Sequence, residues 1–253
     1  MSELKLDKEI SKIIVDGTLR GYLQYLEERK VKRETMNVSG AYAWTKGNHI
    51  DDQVSKLGEE KGVTFKVDKA GYTWEYLQFS VSEDSEEYMI IVKNSRRVKK
   101  TFEDKKKKVN EDNYLVELAE CNTHLFDGKK RNYKEQPEQI QLELSDPHEV
   151  KAVIDRTSLK VSQKYSRFYI VTYEIDDETK LITSIRLTMP NRETMNLELI
   201  EDLSYLIEES DFEITADDVE PILSESAYDQ TIFSGDSDSF GYAIPEEEKE
   251  GNS

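Results

Sequence analysis

The sequence predicts an α+β fold with N-terminal helices, a middle of mixed helices and antiparallel strands, a C-terminal β-β-α unit and a disordered acidic tail. Two observations lead to this prediction. Segments whose apolar residues recur with helical spacing alternate along the chain with segments rich in β-branched and aromatic residues. The charge is also sorted, because residues 171–253 hold 23 Asp/Glu and 4 Lys/Arg whereas residues 1–170 hold 30 and 31.

These patterns divide the chain of 253 residues into four predicted parts. They are an N-terminal helical segment (1–35), an α+β domain (36–165) with a basic helix (93–108), an acidic β-β-α unit (166–225) and the tail (226–253). We expect the tail to be disordered because Ser, Gly, Asp and Glu predominate in it. Such a composition buries too little apolar surface to offset the entropy of ordering.

The composition favours a soluble cytoplasmic protein. Hydrophobic residues make up 36% of the chain and charged residues 35%, and no stretch approaches the roughly 20 apolar residues that span a bilayer. The first residues lack the basic and apolar regions of a secretory signal. The single cysteine, Cys121, rules out a disulfide within the chain and fits a reducing compartment. We therefore expect no membrane partner.

Two short helices are predicted at the N-terminus. The apolar residues of the first are Leu6, Ile10, Ile13 and Ile14, and those of the second are Leu19, Tyr22, Leu23 and Leu26. Asp16-Gly17 divides them, since glycine inside a helix costs about 1 kcal/mol relative to alanine. Gly17 and Gly21 lie one turn apart, which favours close packing against another helix.

The middle of the chain predicts a helix, three strands, two further helices and a strand. The first helix covers 48–60, with Asn48 as its cap and Gly62 beyond its end. The strands cover 63–67, 72–81 and 88–92, the next helices 96–108 and 111–121, and the last strand 140–144.

The C-terminal unit begins with the clearest hairpin of the sequence. Its strands, 168–175 and 181–189, flank the turn residues 176–180. A helix is predicted next, with Leu199, Ile200, Leu203, Leu206 and Ile207 on its buried face. Its outer face carries the acidic candidate binding residues Glu198, Glu201, Asp202, Glu208 and Glu209. A last short helix is capped by Asp218 and has Pro221 in its first turn.

The predicted order of helix, three strands, helix and strand across 48–145 resembles the core of the metal-dependent nucleases of the restriction-endonuclease type. That resemblance implies an Asp on one strand and a Glu-x-Lys on the next, which hold Mg²⁺ and steady the attacking water. The chain offers Glu75 on the second strand, whereas Glu87 and Lys93 on the third are six positions apart instead of two. The resemblance is therefore one of topology alone.

Other chemistry finds little support in the sequence. Cys121 and His124 have a spacing compatible with zinc, but a structural site needs four ligands and no second pair occurs. We interpret Cys121 as a core thiol. The sequence lacks a nucleophile elbow and Gly-rich phosphate loops. We accordingly predict no catalytic residues, no metal and no cofactor.

The basic helix is the second candidate binding region. Its nine basic residues, against two acidic ones, are Lys93, Arg96, Arg97, Lys99, Lys100, Lys105, Lys106, Lys107 and Lys108. Such a segment is either a solvated face, which is the commoner case, or a patch that contacts nucleic-acid phosphates. In a third interpretation the acidic tail lies across this helix and screens it until a partner displaces the tail.

The charge distribution and the missing catalytic motif favour a non-enzymatic acidic protein that binds a basic protein partner. A regulator, an antitoxin and an anti-defence inhibitor, all bacterial accessory proteins, fit this description. The alternatives are a nuclease-like enzyme built on the 48–145 core and a non-catalytic nucleic-acid binder that uses the basic helix. The sequence does not define the partner or the oligomeric state.

Overall fold

The computed structural model describes residues 4–70, 74–83, 86–102, 113–126 and 164–223. Six strands in these residues form one sheet in chain order, β1 to β6. Their bounds are Thr64–Ala70, Trp74–Glu83, Glu86–Asn94, Arg167–Ile175, Ile182–Asn191 and Asn196–Asp202. β3 and β4 are parallel and the other neighbours antiparallel. Together with the helices, this sheet confirms the predicted α+β class.

Helices cover both faces of the sheet. They are α1 (Lys8–Thr35), α2 (Lys46–Glu59), α3 (Ser95–Phe102), α4 (Tyr114–Leu118), α5 (Thr123–Phe126), α6 (Tyr205–Glu208) and α7 (Ala216–Leu223). Side chains of α1, α2, α6 and α7 build the core on one face, and those of α3 and α4 build the core on the other. The sheet is therefore the middle of three layers.

The two central strands supply both cores. In β3, Tyr88, Ile90 and Val92 face α1 and α2, whereas Met89 and Ile91 face α3 and α4. The strand β4 alternates in the same way. Strands covered on both faces are apolar almost throughout, which is why the sequence predicted β3 and β4 correctly.

α1 is one continuous helix of 28 residues, so the predicted break at Asp16-Gly17 is wrong. A Cβ atom on Gly17 would lie 2.6 Å from the Cα of Val54, and one on Gly21 would lie 2.5 Å from the Cα of Ile50. The glycines therefore bring the backbones of α1 and α2 together, as their spacing predicted. Burial against α2 offsets the low helix propensity of glycine in this position.

The predicted order of one helix, three strands and two further helices is confirmed in the middle of the chain, with shifted boundaries. α2 begins at Lys46, so Asn48 lies inside the helix and does not cap it. Gly62 ends the segment with a φ of +79°, in the left-handed region that glycine adopts without strain. The predicted strand 140–144 lies outside the described residues. Among the described residues, the next strand along the chain is β4, which pairs with β3 in parallel.

The hairpin of β4 and β5 is confirmed. The carboxylate of Asp176 accepts the backbone N–H groups of Glu178 (3.1 Å) and Thr179 (2.7 Å), and Lys180 adopts a φ of +58°. The hydroxyl of Tyr22 on α1 donates to the carbonyl of Lys180 at 2.7 Å. The turn is thereby fixed against the long helix.

The predicted helix after this hairpin is wrong in its first half, because Asn196–Asp202 form β6 and α6 is only one turn long. Asn191 accepts the N–H groups of Glu193 and Thr194, and the chain reverses into antiparallel register with β5. A bulge between Leu187 and Thr188 shifts the pairing by one residue. Leu199, which the helix prediction placed on the buried face, is exposed on β6. The C-terminal unit is therefore β-β-β-α followed by α7.

Candidate functional site

Two of the basic residues of α3 form ion pairs with acidic residues of the C-terminal third. Arg96 lies 2.6 Å from Asp177 in the β4–β5 turn, and Lys99 lies 3.7 Å from Glu174 on β4. Lys100 is exposed and Arg97 is half-buried. Lys105, Lys106, Lys107 and Lys108 lie outside the described residues, as does the tail 226–253 that was predicted to screen this helix.

The five acidic candidates do not share a helix face, because β6 replaces most of the predicted helix. Glu201 pairs with Lys5 (2.8 Å), Asp202 with Arg186 (3.6 Å) and Glu209 with Lys8 (3.6 Å). Glu198 is half-buried opposite Met189, and Glu208 is exposed on α6. These side chains therefore point in several directions.

A run of acidic residues without basic neighbours in the sequence begins where β6 ends. Residues 203–223, here called the acidic segment, contain seven carboxylates and no Lys or Arg. The carboxylates belong to Glu208, Glu209, Asp211, Glu213, Asp217, Asp218 and Glu220. Among the described residues, only Glu209 of these seven forms an ion pair. The acidic segment thus carries an unneutralised negative charge.

The residues considered for a nuclease-type metal site do not lie close together in the structure. Glu75 is exposed on β2, and its carboxylate lies 3.8 Å from the ammonium of Lys69. Glu87 lies at the start of β3 and pairs with Lys164 (3.1 Å), whereas Lys93 lies at the opposite end of the same strand. Across the described residues, no three His, Cys, Asp or Glu side chains are grouped so that they can hold a metal ion.

The candidate zinc pair has a different role in the structure. Cys121 is a buried core thiol, as predicted, and its Sγ donates to the carbonyl of Tyr165 at 2.9 Å. His124 is half-buried one turn later. The nearby Asp127 lies outside the described residues.

A polar site that the sequence did not predict lies where β2 and β3 separate. Their pairing runs from Phe79↔Ile90 to Glu83↔Glu86, and the remaining residues of each strand pair only with β1 or β4. We call this gap the fork. Asp51 on α2 enters it, and its carboxylate accepts the N–H of Leu77 at 3.1 Å. The carboxylate thus accepts a hydrogen bond that a carbonyl group of β3 would accept if the two strands were still paired at Leu77.

Charged and phenolic side chains surround this carboxylate. The ammonium of Lys93 lies 4.8 Å from the centre of the Tyr76 ring, and the ring of Tyr114 lies 4.9 Å from the same ring. Burial raises the pKa of Asp51 to about 6, although the charge of Lys93 and the Leu77 N–H act in the opposite direction. Burial likewise lowers the pKa of Lys93, with Asp51 opposing the shift and Arg97 reinforcing it.

The sequence did contain a signal for Asp51. It lies beside Ile50 and one turn before Val54, within the buried face of α2. A carboxylate in the apolar stripe of an amphipathic helix needs a specific partner, because a buried charge without one is costly.

Comparisons with known proteins identify no protein similar to this chain. No protein-family model matches the chain, and no curated protein and no solved structure is similar to it. Within the described part of the chain, no helix combines the length and the apolar character needed to cross a membrane.

Proposed function

We infer that this protein is a non-enzymatic interaction protein that binds a basic protein partner through the acidic segment. The observation that carries this proposal is the run of seven carboxylates in residues 203–223 without a single basic residue. Six of the seven form no ion pair with a described residue. Such a surface attracts a positively charged one and repels nucleic acid.

The acidic segment is anchored to the fold by its apolar residues. Leu206, Val219 and Ile222 are buried in the core that α1 and the sheet share. Phe212 lies beneath the guanidinium of Arg20 on α1, 5.5 Å from the ring centre. These contacts anchor the backbone that carries the carboxylates, which reduces the backbone entropy lost when a partner binds.

Exposed apolar groups accompany the carboxylates. Tyr205 begins α6 and Leu223 ends α7, and about half of each side chain is exposed. Protein interfaces combine a charged rim with aromatic and aliphatic contacts of this kind. The acidic segment therefore offers a partner both charge and apolar contact.

A basic surface of the required kind occurs on proteins that process nucleic acid. Binding there allows the acidic segment to occupy the place of the nucleic acid, which suits a regulator, an antitoxin or an anti-defence inhibitor among bacterial accessory proteins. We propose a cytoplasmic location for this activity, in keeping with the single cysteine.

A charge-neutralised variant tests the proposal. E208Q/E213Q/D217N/E220Q removes four exposed charges from the acidic segment, and E27Q/E34Q/E59Q/E60Q removes four exposed charges elsewhere as the matched control. Binding of a 20-residue Lys/Arg-rich peptide is measured by fluorescence anisotropy in 50 and 200 mM NaCl. We expect the first variant to bind at least about tenfold more weakly than the control. Equal binding by the two variants, or binding insensitive to salt, contradicts the proposal.

The same preparations separate the alternative functions. A nuclease-like enzyme nicks DNA or RNA when Mg²⁺ or Mn²⁺ is added, and Glu75→Ala abolishes that cleavage. A nucleic-acid binder that uses the basic helix binds an oligonucleotide with an affinity that falls steeply as salt is added. Under our proposal neither effect is observed, and a basic protein is recovered by pull-down.

A further inference from the structure

The first strand of the sheet, β1, has an outer edge to which no described strand is bonded. β1 pairs with β2 on its inner side and ends the sheet. Such an edge presents backbone N–H and C=O groups to a further strand, and proteins often protect it with proline or a β-bulge. The seven residues of β1 contain no proline, and their register with β2 is continuous.

Two large apolar side chains of β1 are exposed beside this edge. Phe65 is 40% exposed and Val67 is 59% exposed, and they lie opposite Phe79 and Leu77 of β2. Phe79 belongs to the core that α1 and α2 cover, and Leu77 packs against that core. Residues opposite each other on neighbouring strands point to the same face of the sheet. Phe65 and Val67 therefore continue the apolar surface of this face to the edge, where the helices leave it exposed.

The sequence of β1 is complementary to itself when two copies of the strand run antiparallel. With Val67 on the two-fold axis all seven residues pair, and Lys66 of each copy lies opposite Asp68 of the other. Phe65 then lies opposite Lys69, a pairing in which the alkyl stem of the lysine packs on the ring. Moving the axis by one residue in either direction places Lys66 opposite Lys66 or Asp68 opposite Asp68. Like charges in directly opposite positions are destabilising, so charge selects the register centred on Val67.

The two charged side chains are already held at this edge. Within the strand, the ammonium of Lys66 lies 3.4 Å from the carboxylate of Asp68. That carboxylate also accepts the side-chain amide of Gln78 (2.7 Å) and the N–H of Lys69 (2.8 Å). Two copies joined at Val67 bring two such ion pairs together as a cluster of alternating charges, which is more favourable than an isolated surface pair.

The edge at the other end of the sheet lacks this complementarity. β6 carries Glu198, Glu201 and Asp202 and no basic residue, so two copies of β6 would bring six carboxylates together, three from each copy. The pairing of β6 with β5 is also interrupted by a bulge, which is a common protection of edge strands. Charge and strand geometry therefore favour β1 as the edge where two copies meet.

We propose that two copies of this chain associate through their β1 strands, antiparallel about Val67, and so join their sheets into one continuous sheet. A two-fold interface of this kind closes on itself, so association stops at the dimer. A pair of seven-residue strands is a small interface, and we therefore expect the dimer to dissociate in the micromolar range. β1 is separate from the acidic segment, so either proposal can fail without the other.

Sedimentation equilibrium of the full chain between 1 and 300 µM tests the dimer. Lys66→Asp places carboxylates opposite each other across the interface, and Asp68→Lys places ammonium groups opposite each other. Lys56→Asp and Asp52→Lys are the matched controls, because they exchange the same residue types in an exposed ion pair of α2. We expect each β1 variant to dimerise at least about tenfold more weakly than its control.

An equimolar mixture of the two β1 variants tests the register. In the mixed dimer every carboxylate at positions 66 and 68 of one copy lies opposite an ammonium group of the other, so we expect association within severalfold of the unchanged protein. Val67→Lys, which places two ammonium groups on the axis at an exposed site, gives an independent disruption if a charge variant fails to fold.

Three results overturn the proposal: a chain that is monomeric at 300 µM, β1 variants that fold and dimerise like their controls, and a mixture of folded variants that associates no better than its components. Assemblies that grow beyond the dimer with concentration also overturn it, because they indicate head-to-tail pairing of β1 with β6.

Discussion

At the scale of single residues, the structure depends on polar side chains that replace backbone partners. Asp51 completes the hydrogen bonding of Leu77 where β3 has moved away from β2. The arrangement has a cost, since Asp51 is almost fully buried and its pKa is raised from 3.8 to about 6. The folded state therefore favours the neutral form of Asp51 more than the unfolded state does.

We predict that Asp51→Asn changes the pH dependence of stability. The favourable contribution of Asp51 is fully present below its unfolded pKa of 3.8 and is lost as the pH rises through about 6. A shift of this size corresponds to about 3 kcal/mol. Relative to the unchanged protein, the asparagine variant should therefore gain up to about 3 kcal/mol between pH 4 and pH 7. Urea unfolding at both pH values measures this difference, and a constant difference contradicts the prediction.

The side chain of Asn122 likewise forms hydrogen bonds with backbone groups of β4 and β5. Its amide donates to the carbonyls of Phe168 (2.8 Å) and Pro190 (3.0 Å), and its oxygen accepts the N–H of Phe168 at 2.9 Å. We predict that Asn122→Ala lowers the free energy of unfolding by about 3 kcal/mol, because three buried backbone groups lose their partner. Asn122→Asp keeps an acceptor but loses both donors, and it should also destabilise the protein. A loss below about 1 kcal/mol in urea unfolding would argue against this role.

At the scale of elements, helix contact and strand pairing override local preference. Gly17 and Gly21 are poor helix formers, yet α1 runs through both because they bring it against α2. The apolar residues between Leu199 and Leu203 have helix-like spacing, yet most of this stretch pairs with β5 and forms part of β6. In each case a contact distant in sequence decides the conformation.

We predict opposite effects of alanine at two helical glycines. A Cβ on Gly21 would lie 2.5 Å from the backbone of Ile50, whereas one on Gly47 of α2 meets no atom within 4 Å. Gly21→Ala should therefore destabilise the protein by about 1–3 kcal/mol through overpacking. Gly47→Ala should be neutral or stabilise it by up to about 1 kcal/mol. Thermal and urea unfolding of the two variants measures both effects, and similar values for the two would refute the packing argument.

At the scale of the whole molecule, the acidic C-terminal third is partly neutralised by cations from distant parts of the chain. Glu201 and Glu209 pair with lysines at the start of the structure, and Glu174 and Asp177 pair with α3. The acidic segment keeps most of its charge. Repulsion between its carboxylates should destabilise the folded state at low salt.

We predict that E208Q/E213Q/D217N/E220Q is more stable than the unchanged protein in 10 mM NaCl. The difference should shrink in 500 mM NaCl, because salt screens repulsion between exposed charges. The control E27Q/E34Q/E59Q/E60Q should show a smaller difference. The measurement is the unfolding temperature of each variant at both salt concentrations, and a difference that is independent of salt contradicts the prediction.

The α+β class, the order of most described elements and the hairpin of β4 and β5 could be predicted from the amino-acid sequence. These features follow from local patterns: the spacing of apolar residues, the turn residues 176–180 and the apolar runs of the central strands. The sequence also determined where the excess negative charge lies. Each of these properties depends on residues close together in the chain.

The continuity of α1, the strand β6 and the fork depend on contacts between parts of the chain that are distant in sequence. Asp51, Lys93 and Tyr114 belong to three elements, and each contacts Tyr76 or Leu77 only after the sheet has formed and its second and third strands have separated. The pairing of α3 with Glu174 and Asp177 likewise joins residues about 80 positions apart. Side chains from distant elements have no shared pattern in the sequence, because burial and contact bring them together only after the chain has folded.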